Sequence, residues 1–201
     1  MKDSKRVLMV IPHMLGGGAE RVSAQIINTM NSRGYETTYM LTSSKKSEVI
    51  NTDLNDKTPL VLLTEELNKE TALQKLCYLP QKLISTIVGK LYEKRGKYVP
   101  AFAGKTSIVN QYHREIKYIR NLLKENPDMA VIAFSQPGMP IVALASKGLP
   151  NTVVLSERAD PNMLMKKRYG RKFIEKYYDR ADKMVFQTED AKKYFRTKNE
   201  F

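Results

Sequence analysis

A run of five apolar residues, Val7-Leu8-Met9-Val10-Ile11, stops shortly before a glycine triplet, Gly16-Gly17-Gly18. Beyond it Val22, Ile26, Ile27 and Met30 recur at helical spacing, and Arg33-Gly34 leads into a second apolar stretch, Tyr35 to Leu41. The order reads as buried strand (about 6–11), glycine turn, helix (18–32) and strand (35–42). A helix between two strands is a βαβ unit, and βαβ units build parallel sheets. Few sequence features narrow the choice of fold as far.

Glycines at such a turn let the backbone bend sharply and approach a ligand closely, because no Cβ intervenes. The unbonded N–H groups at the head of the following helix, at the positive end of its dipole, favour an anion. A phosphate or sugar-phosphate is the natural guest; a tight turn with no guest is the plainer alternative. A dinucleotide site is disfavoured. Gly16 and Gly18 match the first two glycines of G-x-G-x-x-G, but Arg21 stands at the third, and the second strand ends in Thr42-Ser43-Ser44 without a carboxylate for a ribose. No Gly-Lys-Ser/Thr follows, which excludes a Walker loop.

The alternation continues. Thr58 to Leu63 reads as a third strand with Pro59 at its start. A helix is predicted over Thr106–Glu125, ended by Asn126-Pro127-Asp128, and a core strand over Met129–Phe134. A short helix at Met139–Lys147 and a strand at Thr152–Leu155 follow, then a basic helix at Lys166–Arg180, a strand at Lys183–Phe186 and a last helix capped by Thr188. The fold class is therefore α/β, a Rossmann-like, mostly parallel sheet with helices on both faces, in one domain over 1–201. Ligands in such sheets bind beyond the carboxyl ends of the strands. Three polar loops, His13–Arg21, Ser135–Gly138 and Ser156–Pro161, are expected to share that rim.

Residues 65–104 break the pattern as a basic helical insertion. Leu73, Leu76, Leu83, Ile84, Ile87, Val88 and Leu91 recur at three and four residues, with Lys75, Lys82, Lys90 and Lys94 between them. Two readings stand: a helical pair packed on the sheet, or a peripheral surface that meets a bilayer or a lipid-linked acceptor.

The formal net charge of +13, from 34 basic and 21 acidic residues, calls for an anionic partner such as a phosphate-bearing substrate or an anionic membrane surface. Nucleic acid is not expected, because the chain has no tryptophan and no recognisable motif for it. The single cysteine, Cys77, allows no internal disulfide, no Cys/His cluster has zinc spacing, and no stretch reaches transmembrane length. A cytoplasmic setting fits, at most at the inner face of a membrane. His13 reads as a loop-bracing residue or a substrate contact. His113 is expected at the surface, and Met9, Met129 and Met184 in the core.

Pro12-x-x-x-Gly-Gly-Gly-Ala-Glu-Arg-Val, with the helix end at Arg33-Gly34-Tyr35, resembles the opening of family 4 retaining glycosyltransferases of the GT-B architecture. Ser156-Glu157-Arg158-Ala159-Asp160-Pro161 resembles the Ser-Glu-Arg-Asn-Asp-Pro element of one branch, found in capsule, exopolysaccharide and lipid-linked glycan assembly. Ala181-Asp182-Lys183 to Phe186-Gln187-Thr188 resembles the last strand of that family's N-terminal domain. The likeness covers about 6–42 and 128–196; residues 43–104 carry no motif. It implies the acceptor-side half of a two-domain enzyme, inactive alone. The absent C-terminal domain would hold the nucleotide-sugar donor through paired glutamates, and the acceptor would be a glycan or lipid-linked hydroxyl. No metal or cofactor is implied. By the same likeness Gly16, Gly17 and Gly18 face donor phosphates or acceptor, and Glu20 and Arg21 anchor the helix start or its neighbours. Glu157, Arg158 and Asp160 stand where many relatives place a donor-contacting histidine. Arg158 is suited to grip a phosphate with two parallel hydrogen bonds, or to join Glu157 and Asp160 in a network that holds the loop. A phosphate-binding module without chemistry and a membrane-surface domain are the alternatives from other classes.

Overall fold

A computed structural model of the chain describes residues 5–43, 49, 53–70, 78–94, 108–158 and 178–193. Its first half comprises β1 (Arg6–Ile11), α1 (Gly18–Ser32), β2 (Glu36–Leu41), β3 (Leu60–Leu62), α2 (Leu63–Asn68) and α3 (Leu79–Lys94). The second half comprises α4 (Ile108–Gln111), α5 (His113–Glu125), β4 (Ala130–Phe134), α6 (Gly138–Ala145), β5 (Val153–Glu157) and β6 (Lys183–Phe186).

The strands form one six-stranded sheet in the order β3-β2-β1-β4-β5-β6, and every neighbouring pair is parallel. From β1 the chain builds outward through β2 and β3. It then returns to the other side of β1 and builds β4, β5 and β6. The reversal opens a crevice beyond the carboxyl ends of β1 and β4, where the connections diverge to opposite sides.

The pleat explains the continuous apolar run of β1. Leu8 and Val10 belong to a core shared with Ile119 and Leu123 of α5 and Ile141 and Val142 of α6. Val7, Met9 and Ile11 belong to a second core with Ala24 and Ile27 of α1 and Tyr39 of β2. Helices thus cover both faces, as the alternation predicts, and a strand buried on both sides needs no polar alternation. Arg120 and Arg180 close the other end of α6. Arg120 donates to the carbonyls of Ala145 (2.8 Å) and Lys147 (2.7 Å), and Arg180 to those of Ser146 (3.0 Å), Leu149 (2.8 Å) and Asn151 (2.9 Å). Cations there satisfy carbonyls that a helix leaves unbonded at its end.

Four expectations change. The third strand is only Leu60–Leu62, and Leu63 opens α2, whose Leu63 and Leu67 are buried. The helix expected over 106–125 is broken at Tyr112 into α4 and α5. At the break the His113 ring meets the carbonyl of Asn110 at 3.1 Å, occupying an acceptor that a continuous helix would use for itself. His113 is accordingly half-buried, edge-on to Tyr78 at 4.7 Å, rather than a surface residue. Finally, β5 runs on through Ser156 and Glu157, both buried, so these two belong to the strand and not to the loop after it. Most of the basic helix expected over 166–180 lies outside the described residues. Thr188 does cap the last helix, its hydroxyl accepting from the Ala191 N–H at 3.1 Å.

Candidate functional site

β1, β4 and β5 are consecutive in the sheet and parallel, so the loops that follow them leave from one rim. The head of α6 stands against the end of β1: a Cβ on Gly138 would lie 3.5 Å from the Val10 carbonyl oxygen and 3.8 Å from Pro12. Ser135, between β4 and α6, takes a positive φ of 57°, uncommon for a residue with a side chain.

The three glycines of the turn differ. Gly16 has φ of 84°, a left-handed backbone that glycine adopts without strain. Gly17 is the N-cap of α1, and a Cβ there would come within 2.3 Å of a Glu20 carboxylate oxygen. Gly18 would meet nothing within 4 Å. The close approach that the turn permits is therefore made by the chain's own Glu20. This residue is 7% exposed, and its carboxylate lies 3.0 Å from His13 Nδ1. A carboxylate lying against the first turn compensates the positive end of α1 from within.

Beneath it, Ser23 donates to the Glu20 carbonyl at 2.8 Å and its hydroxyl also meets that of Tyr39. Burial pushes the Tyr39 hydroxyl up to about 12; the Ser23 hydrogen bond opposes this and the Glu20 charge adds to it. Arg21 turns outward, 65% exposed, and lies 3.8 Å from Asp53 ahead of β3. Glu20 and Arg21 thus both brace the start of α1, and Arg21 is not in the crevice. His13, about half exposed, stands at the rim beside the Glu20 carboxylate.

On the β5 side Glu157 is 2% exposed. Its carboxylate accepts from the Arg158 backbone N–H at 2.9 Å and lies 3.5 Å from the Tyr178 hydroxyl, which in turn accepts from Gln136 Nε2 at 3.3 Å. This links the loop after β4, the end of β5 and the segment before β6. The Arg158 side chain makes no ion pair with Glu157 among the described residues. Its guanidinium lies over the Phe134 ring, 4.4 Å from the centroid, and its Nε is buried without a hydrogen-bond partner among them. The Ser156 hydroxyl is likewise buried and unpartnered among those residues. Burial lowers the Arg158 pKa, but an arginine stays cationic in a protein. Asp160 lies outside the described residues.

Gln136, Tyr178 and Phe134 are the participants that sequence reasoning missed. Gln136 sits within a loop singled out for the rim, whereas the Tyr178 contact is made across 21 residues and no local pattern announces it. A groove of about 700 Å3 runs along β6, lined in part by Tyr178, Met184, Phe186, Thr188 and Glu189. It lies at the far edge of the sheet from the glycine turn. Among the described residues no group of three His, Cys, Asp or Glu is placed to hold a metal, and no helix is long and apolar enough to cross a membrane. Compared with known proteins, the chain matches no protein-family model and no curated protein.

Chemically, the rim offers a cation held on an aromatic face, an imidazole beside a buried carboxylate, and a carboxylate already engaged in the loop. The first suits an anionic oxygen; the second suits a hydroxyl.

Proposed function

We propose that this chain is the acceptor-side half of a retaining sugar transferase of the GT-B kind, moving a sugar from a nucleotide-sugar to a glycan or lipid-linked hydroxyl. The observation that carries the proposal is Arg158: a cation fixed on Phe134 at the mouth of the crevice, with a buried Nε that lacks a partner among the described residues. A buried donor without an acceptor is costly, and a phosphate oxygen would relieve it. Since Glu20 already compensates the head of α1, the anion is received on the β5 side of the crevice, and the glycine turn shapes the wall opposite.

In this scheme the donor is held chiefly by a second lobe outside these residues. As the glycosidic bond to the donor phosphate breaks, negative charge grows on the leaving oxygen and Arg158 opposes it. Glu20, whose carboxylate lies 3.0 Å from His13 Nδ1, steadies the ring at the rim, where it meets and orients the acceptor hydroxyl. Glu157 accepts from the loop backbone and so sets where Arg158 begins.

The test is transfer by the protein with its second lobe in place, over a panel of nucleotide-sugars and lipid-linked acceptors. Wild type transfers with retention, and Arg158→Ala lowers kcat/KM about 100-fold with its unfolding transition unchanged. Arg158→Lys restores only part, because a point charge does not reproduce the planar fork. Nucleotide binding without transfer would favour an anion-binding module; no transfer from any donor overturns the assignment.

A further inference from the structure

Buried polar atoms in a folded chain nearly always have hydrogen-bond partners. Among the described residues, three side-chain atoms are buried without one: Asn151 Oδ1, Ser156 Oγ and Arg158 Nε. Asn151 is held by its other end, where Nδ2 donates to the carbonyls of Asn126 (2.8 Å) and Met129 (3.0 Å). Ser156 and Arg158 are different. They lie two residues apart, at and just beyond the carboxyl end of β5, and Ser156 is 1% exposed.

The pleat puts both on one side of the sheet. Along β5, Val153 and Leu155 belong to the core shared with α6, and Glu157 turns the same way to meet Tyr178. Val154 packs into the other core, which holds Phe134, Met14 and Ile27 of α1. Side chains alternate along a strand, so Ser156 follows Val154 onto the α1 side. Its register partner on β4 is Phe134, the ring over which the Arg158 guanidinium lies at 4.4 Å. Hydroxyl and guanidinium thus share a face and an aromatic neighbour. The Ser156 carbonyl is used by the fold, accepting from the Ser135 N–H at 3.2 Å, whereas the hydroxyl is not used among the described residues.

A hydroxyl and a guanidinium N–H both donate, so what completes them is an acceptor with more than one oxygen. Two residues along a strand are about 6.6 Å apart, a gap closed by an anion whose oxygens each take a hydrogen bond of about 2.8 Å. The fixed cation asks for negative charge, and apolar surroundings strengthen such bonds. A phosphate group meets these conditions. We infer that Ser156 and Arg158 together form a phosphate site on the α1 side of β5, with Ser156 Oγ donating to one oxygen and Arg158 to another. The site rests on the anion-receiving role proposed for Arg158. It adds a second ligand, a defined face of the sheet, and binding by this chain without a partner lobe.

The experiment is titration of the chain with inorganic phosphate and pyrophosphate, read by 15N NMR at the Arg158 Nε–H and the Ser156 and Phe134 amides, alongside thermal unfolding. The wild type is expected to show saturable shifts at these signals and a Tm that rises with phosphate. Ser156→Ala is expected to bind phosphate at least ~10-fold more weakly, while its Tm without phosphate stays at or above that of the wild type, because an unpartnered buried hydroxyl is removed. No saturable shift, equal affinity in Ser156→Ala, or a lower Tm of that variant without phosphate overturns the site; the last would mean that the hydroxyl is already bonded within the fold. With the second lobe in place, phosphate that competes with the nucleotide-sugar marks the group as the donor's, and phosphate that competes only with the acceptor marks it as the acceptor's. Either result upholds the site. Phosphate binding through Ser156 with no sugar transfer by the two-lobe protein would remove the transferase assignment alone, and transfer without phosphate binding would remove this site alone.

Discussion

Glu20 is the residue on which the glycine turn closes. Its carboxylate, not a ligand, explains why a side chain is excluded at Gly17, whereas nothing crowds Gly18. Gly17→Ala is expected to cost about 1–2 kcal/mol, as overpacking does, and Gly18→Ala to be neutral or stabilising by up to about 1 kcal/mol at a helical position. On a Glu20→Ala background the Gly17→Ala cost should shrink by about 1 kcal/mol; a urea-denaturation double-mutant cycle reads this coupling. Tyr39 gives a second prediction. Its hydroxyl titrates at about 12 in the folded chain against 10.0 for the free group, so the folded state holds that proton more tightly. The stabilisation is complete below pH ~10 and is lost as the pH rises from ~10 to ~12, on the order of 2–3 kcal/mol in all. Tyr39→Phe should remove that alkaline loss while costing about 1 kcal/mol at neutral pH for the hydrogen bond to Ser23, as followed by chemical denaturation across pH.

At the level of elements, α6 has its head in the crevice and its tail held by two arginines. Arg180→Ala leaves the Leu149 and Asn151 carbonyls to find other donors, while that of Ser146 keeps the Leu149 N–H, and a loss of about 2–3 kcal/mol is expected; Arg120→Ala, with two carbonyls, should lose about 1–2 kcal/mol. The urea midpoint should fall with its slope unchanged, and ligand binding at the rim, at the opposite end of α6, should follow wild type. How far elements could be read from the residues depended on where their signals were local. β1, α1 and β2 are marked by an apolar run, a glycine turn and a glycine stop, and their observed bounds lie within a residue of expectation. β5 hides its last two residues because Ser156 and Glu157 are polar yet buried, a pairing decided by Tyr178 and the neighbouring strands. The break at Tyr112 depends on one histidine ring, and α2 is too short to show a period. For the site, the rim loops were legible from alternation, but Phe134 beneath Arg158 and Gln136 beside Tyr178 are tertiary contacts with no local trace.

For the whole molecule, alternation of strand and helix is sufficient to set the parallel sheet, and the strand order follows from one return past β1. What alternation cannot reveal is which amphipathic helix finds a partner, since α3 and α5 carry similar stripes and only one is buried. β1 itself, at 3% exposure or less from Val7 to Ile11, is clamped by neighbours in four directions. It forms the floor under the crevice, and a close-packed floor yields very little when pressed. A guest settling there has a rigid bed, so adaptation to its shape falls to the loops above, which can vary from one guest to the next while the bed stays as it is.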